Sequence, residues 1–278
     1  MFAVVSILII CGNILTILVM TRAKPLQSNI RFLIINLAVA DLTVGLLTIP
    51  LFLYRVVASN YGVQLVYRML DVFTGYASIF SLVAVAAERF IAISWPLKYE
   101  NTKQKTYGLV IVIVWLIATC LGVLMGLRTL KKIAAIAFYM PMMVCFFSSL
   151  GILILCYSAI WFVVRRSRTE ELKSFEKQLS VTVLVVTLLF VVMWMPFHVL
   201  NILHYYKVPC GGHCNFHFIA FFKLLHYGNS LLNPLIYGFR IPGFTKAARK
   251  LFRRDSPASD HEANGGGITM ESIAGNNI

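Results

Sequence analysis

The chain has 278 residues, 59% of them hydrophobic and only 13% charged, with a mean hydropathy of +0.80. A water-soluble domain carries about 25% charged residues, so an ordinary soluble enzyme and a largely disordered chain are both excluded. The formal net charge of +14 in so apolar a chain points to membrane topology rather than nucleic-acid binding, and the scattered cysteines form no CxxC pair and no zinc spacing.

A membrane-crossing helix needs roughly 20 mostly apolar residues. Seven stretches qualify: residues 1–21, 32–54, 69–95, 107–127, 133–164, 179–206 and 216–239. The first is too long for a signal peptide, lacks a basic start and is followed by Arg22 and Lys24, so it reads as a span. With almost nothing ahead of it, there is room for a further natural N-terminal segment. Strands of a membrane barrel would be about 10 residues long and strictly alternating, which these are not. The expected fold is an all-α membrane protein over residues 1–240, a seven-transmembrane helix bundle.

Basic residues set the orientation. Arg22, Lys24, Arg31, Lys98, Lys103, Lys105, Arg165, Arg166, Arg168 and Lys173 fall in one set of loops, and Lys246, Arg249, Lys250, Arg253 and Arg254 follow the last span. The opposite loops hold fewer: Arg55, Arg68, Arg128, Lys131, Lys132 and Lys207. The N-terminus is therefore expected outside and the C-terminus inside. Residues 241–254 (IPGFTKAARKLFRR) place Phe244, Ala248, Leu251 and Phe252 on one face and basic residues on the other. That pattern predicts a short amphipathic eighth helix on the inner leaflet, in contact with membrane lipid. Residues 255–278 are polar and Gly-rich and are expected to be disordered.

Ionisable groups inside a bilayer are costly and mark functional positions. Asp41 lies in the second span, Asp71, Glu88 and Arg89 in the third, and Lys223, His217 and His226 in the seventh. Asp71 and Arg89 are five helical turns apart, on one face, with roughly 27 Å between them, and Gly75 and Ser78 share that stripe. Glu176, Phe190, Trp194, His198 and Asn201 form a stripe on the sixth span, and Lys223, Tyr227, Ser230, Asn233 and Tyr237 one on the seventh. Pro196 frees a carbonyl beside Trp194 and predicts a kink there.

These residues carry a family resemblance. Gly12-Asn13, LAVADL ending at Asp41-Leu42, Glu88-Arg89-Phe90 with IAISWPLKY, Trp115, Trp194-Met195-Pro196 with Phe190, and NSLLNPLIY from Asn229 to Tyr237 occur in order. The chain resembles a rhodopsin-like (class A) G protein-coupled receptor along nearly all its length. The resemblance implies a plasma-membrane receptor, not an enzyme, whose partners are a small extracellular ligand and a heterotrimeric G protein. It implies an activation switch of Glu88, Arg89, Tyr157, Glu176, Phe190, Trp194, Asn233, Pro234 and Tyr237. Separation of Arg89 from Glu176 would let the sixth helix swing out, with Arg89 and Leu97 touching the G protein. Asp41, Ser78, Asn229 and Asn233 resemble an allosteric sodium pocket; a structural, hydrogen-bonded acid is the alternative for Asp41.

Ligand-binding residues implied by the resemblance are Asp71, Gly75, Trp194, Phe197, His198, Asn201, Lys223 and Tyr227. Asp71 and Tyr227 match the acid and tyrosine of amine receptors, which makes a biogenic amine the first expectation. Lys223 or Arg68 could instead neutralise Asp71 internally. His198 and Asn201 match adenine-contacting positions of adenosine receptors, although Tyr227 replaces their seventh-helix His. Gln64 stands where the family has a Cys strapping the third helix to the second outer loop, and Ser149 stands where it has a fifth-helix Pro. Those departures, and the short second outer loop, resemble the melanocortin branch and keep a peptide ligand in view. Cys210 and Cys214 could form a loop disulfide outside the cell. A transporter is the non-receptor alternative, but repeats or midplane-broken spans are missing from the sequence, as are a channel's pore loop and paired catalytic groups.

Overall fold

The computed structural model describes residues 1–23, 28–58, 60–166, 170–206, 216–240 and 244–252. The chain folds as helices in the order α1 (Phe2–Leu18), α2 (Ser28–Thr43), α3 (Ile49–Val57), α4 (Tyr61–Ser94), α5 (Pro96–Glu100), α6 (Gln104–Thr129), α7 (Ala135–Arg166), α8 (Glu170–Tyr205), α9 (Phe216–Arg240) and α10 (Phe244–Phe252). A π-helical turn, Val19–Ala23, extends α1, and another, Val44–Thr48, joins α2 to α3 into one rod. With that rod counted once, α1, α2–α3, α4, α6, α7, α8 and α9 occupy the seven predicted spans. On length and composition alone, five of them, up to α7, are apolar enough to cross a membrane among the described residues. The expected all-α seven-helix bundle is what forms.

Several boundaries differ from the hydropathy reading. α4 starts at Tyr61, two turns ahead of residue 69, because Asn60 caps it: its Oδ1 accepts from the backbone N–H of Gly62 at 2.8 Å and of Val63 at 3.3 Å. Gln64 and Arg68 lower the local hydropathy without breaking the helix. α6 ends in a left-handed residue, Lys131 at φ 57°. The Lys132 N–H reaches Leu127 O at 2.9 Å and the Lys131 N–H reaches Arg128 O at 3.1 Å, a Schellman closure that turns the chain directly into α7.

α4 is the central rod, packing against α2, α6 and α7 and touching α8. Its middle is buried continuously from Thr74 to Leu82, Phe80 excepted. Small residues let neighbours come close: a Cβ at Gly126 would sit 2.7 Å from Met69 Sδ. The α2–α4–α6 contact is fixed by a polar chain in which Trp115 Nε1 donates to Asn36 Oδ1 at 2.8 Å and Asn36 Nδ2 donates to Ser81 Oγ at 2.7 Å. Apolar side chains of α6 such as Leu109, Val112 and Leu116 point outward, as expected where lipid rather than water is the surrounding medium. Pro141, Pro196 and Pro234 lie inside α7, α8 and α9. On α10, Phe244 and Ala247 are buried, so Ala247 joins the apolar face read from the sequence. Residues 255–278 lie outside the described residues.

Candidate functional site

Two buried acids organise the interior. Asp41, on α2, is fully enclosed. Its Oδ1 accepts from Ser78 Oγ at 2.8 Å and Ser230 Oγ at 2.7 Å, and its Oδ2 accepts from Asn233 Nδ2 at 2.6 Å. One carboxylate thereby ties α2 to α4 and α9 with three neutral donors. Asn233 Oδ1, beside it, has no hydrogen-bond partner among the described residues. Asn229 is buried too, but Ser230, one residue on, supplies the third donor that the sequence assigned to Asn229.

Asp71, on α4, is held differently. Lys223 Nζ of α9 meets its Oδ2 at 2.5 Å, and Tyr227 Oη donates to its Oδ1 at 2.9 Å. The internal pairing left open by the sequence is therefore realised, and the partner is Lys223. The ammonium also lies over Phe197 at 4.1 Å, Tyr227 at 5.1 Å and Tyr67 at 5.8 Å. Tyr67 and Tyr227 hydroxyls are hydrogen-bonded to each other at 3.0 Å, and Arg55 lies over the Tyr67 ring at 4.4 Å. Phe2 and Phe52 complete this aromatic cluster.

Beside the pair opens a cleft, about 470 Å³ with its open mouth included, walled by α4, α6, α7, α8 and α9. Asp71, Gly75, Trp194, Phe197, His198 and Asn201 line it, together with Tyr139 and His226, while the buried Lys223 and Tyr227 of the expected ligand set are not among its lining residues. His198 is stacked between Phe146 (3.9 Å between ring centres) and Trp194 (5.6 Å). Both of its ring nitrogens lack hydrogen-bond partners among the described residues, as does Nδ1 of His226. His226 stacks on Phe197 at 5.1 Å and meets the Trp194 ring edge-on at 4.0 Å. A smaller cavity adjoins Ser78 and Ser230, and Trp194 borders both. A Cβ at Gly75 would fall 2.8 Å from Trp194 Cη2; glycine is needed there for the indole's approach.

At the far end of α4, Arg89 forks onto its neighbour Glu88: Nε to Oε2 at 2.5 Å and Nη2 to Oε1 at 2.6 Å, both residues buried. Arg89 Nη2 also donates to Tyr99 Oη of α5 at 3.3 Å. Burial, then the nearby Glu88 carboxylate, push the Tyr99 phenol above its ordinary range, so it stays protonated. Tyr157 is buried, Pro234 lies within α9 and Leu97 is exposed. The side chains of Glu176, Phe190 and Tyr237, and all of Cys210 and Cys214, lie outside the described residues.

A seven-helix bundle with a cavity at one end, a buried Arg–Glu fork at the other and a buried acid between them defines a membrane receptor. The model of the 7 transmembrane receptor (rhodopsin family) matches residues 12–237, and the chain belongs to that family, one of receptors rather than enzymes. It is similar to adenosine receptor A3 of Bos taurus, 26% identical over 267 residues, covering 84% of this chain and 83% of the relative. It is also similar to 5-hydroxytryptamine receptor 2B of Dichotomyctere fluviatilis, 26% identical over 341 positions, covering 87% and 72%. Against the dopamine D2-like receptor of Drosophila melanogaster it is 36% identical over 129 residues, covering 44% and 14%.

Proposed function

We propose that this receptor, with its N-terminus outside the cell, binds a small extracellular ligand in the cleft beside Asp71 and relays binding to a heterotrimeric G protein at the Arg89 end. The observation that carries the reading is the position of Trp194. It walls the ligand cavity and the cavity beside Ser78 and Ser230, and it sits on α8 two residues before Pro196. A ligand that shifts the indole therefore acts on the helix at its proline. It biases the equilibrium only by its differential affinity for the two states. Arg89, released from Glu88, and Leu97 face the G protein, and Glu176, Phe190, Tyr157, Asn233 and Tyr237 complete the switch. α10 rests on anionic lipid at the inner leaflet.

The lining favours a ligand with a flat aromatic or heteroaromatic body and a hydrogen-bonding edge. Trp194, Phe197 and His226 offer ring faces and edges, and the His198 imidazole nitrogens, without partners among the described residues, and the Asn201 amide offer donors and acceptors. A bare amine fits less well, because it must separate Asp71 from Lys223 and leave that ammonium without its carboxylate. A nucleoside needs no such exchange and is the second reading, supported by His198, Asn201 and the likeness to adenosine receptor A3. A peptide finds only one acid in this cavity. Sodium fits the Asp41 site: one carboxylate and the unpartnered Asn233 Oδ1 are hard oxygen donors, with Ser78 and Ser230 hydroxyls beside them.

The test is G protein activation in cells expressing the chain, with and without Arg89→Ala, under a panel of aromatic ligands. Ligand-dependent activation that Arg89→Ala removes is the expected result. Ligand-driven uptake of a solute with no G protein response, unaltered by Arg89→Ala, would instead establish a transporter.

A further inference from the structure

The binding end of the bundle is cationic. Arg55, Arg68, Arg128, Lys131 and Lys132 surround it with Lys223, and Asp71 is the single carboxylate there among the described residues. A field of that sign draws acids toward the cavity and repels free amines. At the cavity wall, the one negative charge is already matched by Lys223 at 2.5 Å. A ligand bearing only an ammonium would take Asp71 and strand Lys223; one bearing only an acid would take Lys223 and strand Asp71. Either exchange leaves a buried charge bare, which is strongly unfavourable. A ligand bearing both charged groups on one carbon replaces one ion pair by two and strands nothing.

We propose that the ligand is a zwitterion of the α-amino-acid kind with an aromatic side chain: its carboxylate seats on Lys223, its ammonium on Asp71, and its ring lies in the cavity against Trp194 and Phe197. The proposal rests on the receptor reading above and names the chemistry of its ligand. The ring faces of Phe197, Tyr227 and Tyr67 around Lys223 hold the ammonium in place while its carboxylate partner changes. Tyr227, donating to Asp71 at 2.9 Å, does the same for the acid.

Matched series test this on the full chain: L-tryptophan, tryptamine and indole-3-propionate, with the corresponding phenol and phenyl sets, read by G protein activation at equal surface expression. Loss of about tenfold or more in potency on removing either charge is expected, each lost pair being charge-assisted. Lys223→Met frees Asp71, so the most potent member should change from amino acid to amine. The exchange Asp71→Lys with Lys223→Asp keeps both charges and should keep the amino-acid preference. An amine that outperforms its amino acid on the unaltered receptor overturns the proposal, as do silence of all three series or activity of adenosine alone. Arg89→Ala, read on basal G protein activation, separates these outcomes from failure of the receptor reading, since its loss of basal coupling does not depend on the ligand.

Discussion

Asp41 and Asp71 are both carboxylates within the bundle, yet they are stabilised by different means. Asp41 accepts from three neutral donors and is fully enclosed. Asp71 meets an ammonium and a phenol and lines an open cavity. The first arrangement satisfies every hydrogen bond offered to the carboxylate but leaves its charge uncancelled, which suits a small cation. The second cancels the charge, which suits a ligand that is itself balanced. The middle of the bundle is therefore a candidate for an ion and the cavity end for a zwitterion, although each is built around a single acid on a single helix.

Substitutions can break that comparison. Asp41→Leu should be the most damaging: it orphans Ser78, Ser230 and Asn233 together, at about 1–3 kcal/mol for each buried donor, and should abolish surface expression or lower the melting temperature of the purified receptor sharply. Lys223→Met should cost about 3–5 kcal/mol, the penalty of breaking a buried pair by removing one partner, visible in the same melting experiment. The double variant Asp71→Asn with Lys223→Met should return to within about 1 kcal/mol of the parent, since removing both charges of a buried pair is often close to neutral. A double variant as unstable as Lys223→Met alone would show that the charges are not a closed pair. Tyr67→Phe removes only the hydroxyl contact to Tyr227 and should cost about 1 kcal/mol, leaving Asp41-dependent properties untouched. Sodium sharpens the contrast: thermal stability of the parent should rise with sodium over an equal concentration of choline, and this rise should vanish in Asp41→Asn but persist in Asp71→Asn.

Much of this was legible in the sequence, because a bilayer leaves few options. Seven apolar runs, the Glu88-Arg89 pair and the Asn229–Tyr237 motif fixed the architecture and the family. Tyr227 was placed beside Asp71 and Asn233 beside Asp41, as found. Registry between helices was the illegible part. Lys223 and Arg68 both lay within plausible reach of Asp71, and only the relative height of α4 and α9 decides for Lys223. Ser230 rather than Asn229 faces Asp41 because one residue is a rotation of about 100°, finer than motif matching resolves. His226 stands out in the sequence as an ionisable group inside a span, but an isolated imidazole on an apolar helix carries no pattern that places it at the cavity. The start of α4 lies ahead of its apolar run because hydropathy does not register an Asn cap.

The π turn at Val44–Thr48 separates the two acids in a further sense. It lies between Asp41 and the segment carrying Phe52 and Arg55, which pack on Tyr67. A π turn holds one residue more than an α turn, so deleting one residue there would let an α turn replace it with the distal segment's registry nearly kept, whereas rewinding all five residues as α would rotate that segment by about 100°. The turn works as a phase shifter, setting which way Phe52 and Arg55 face Tyr67 independently of the helix that carries Asp41.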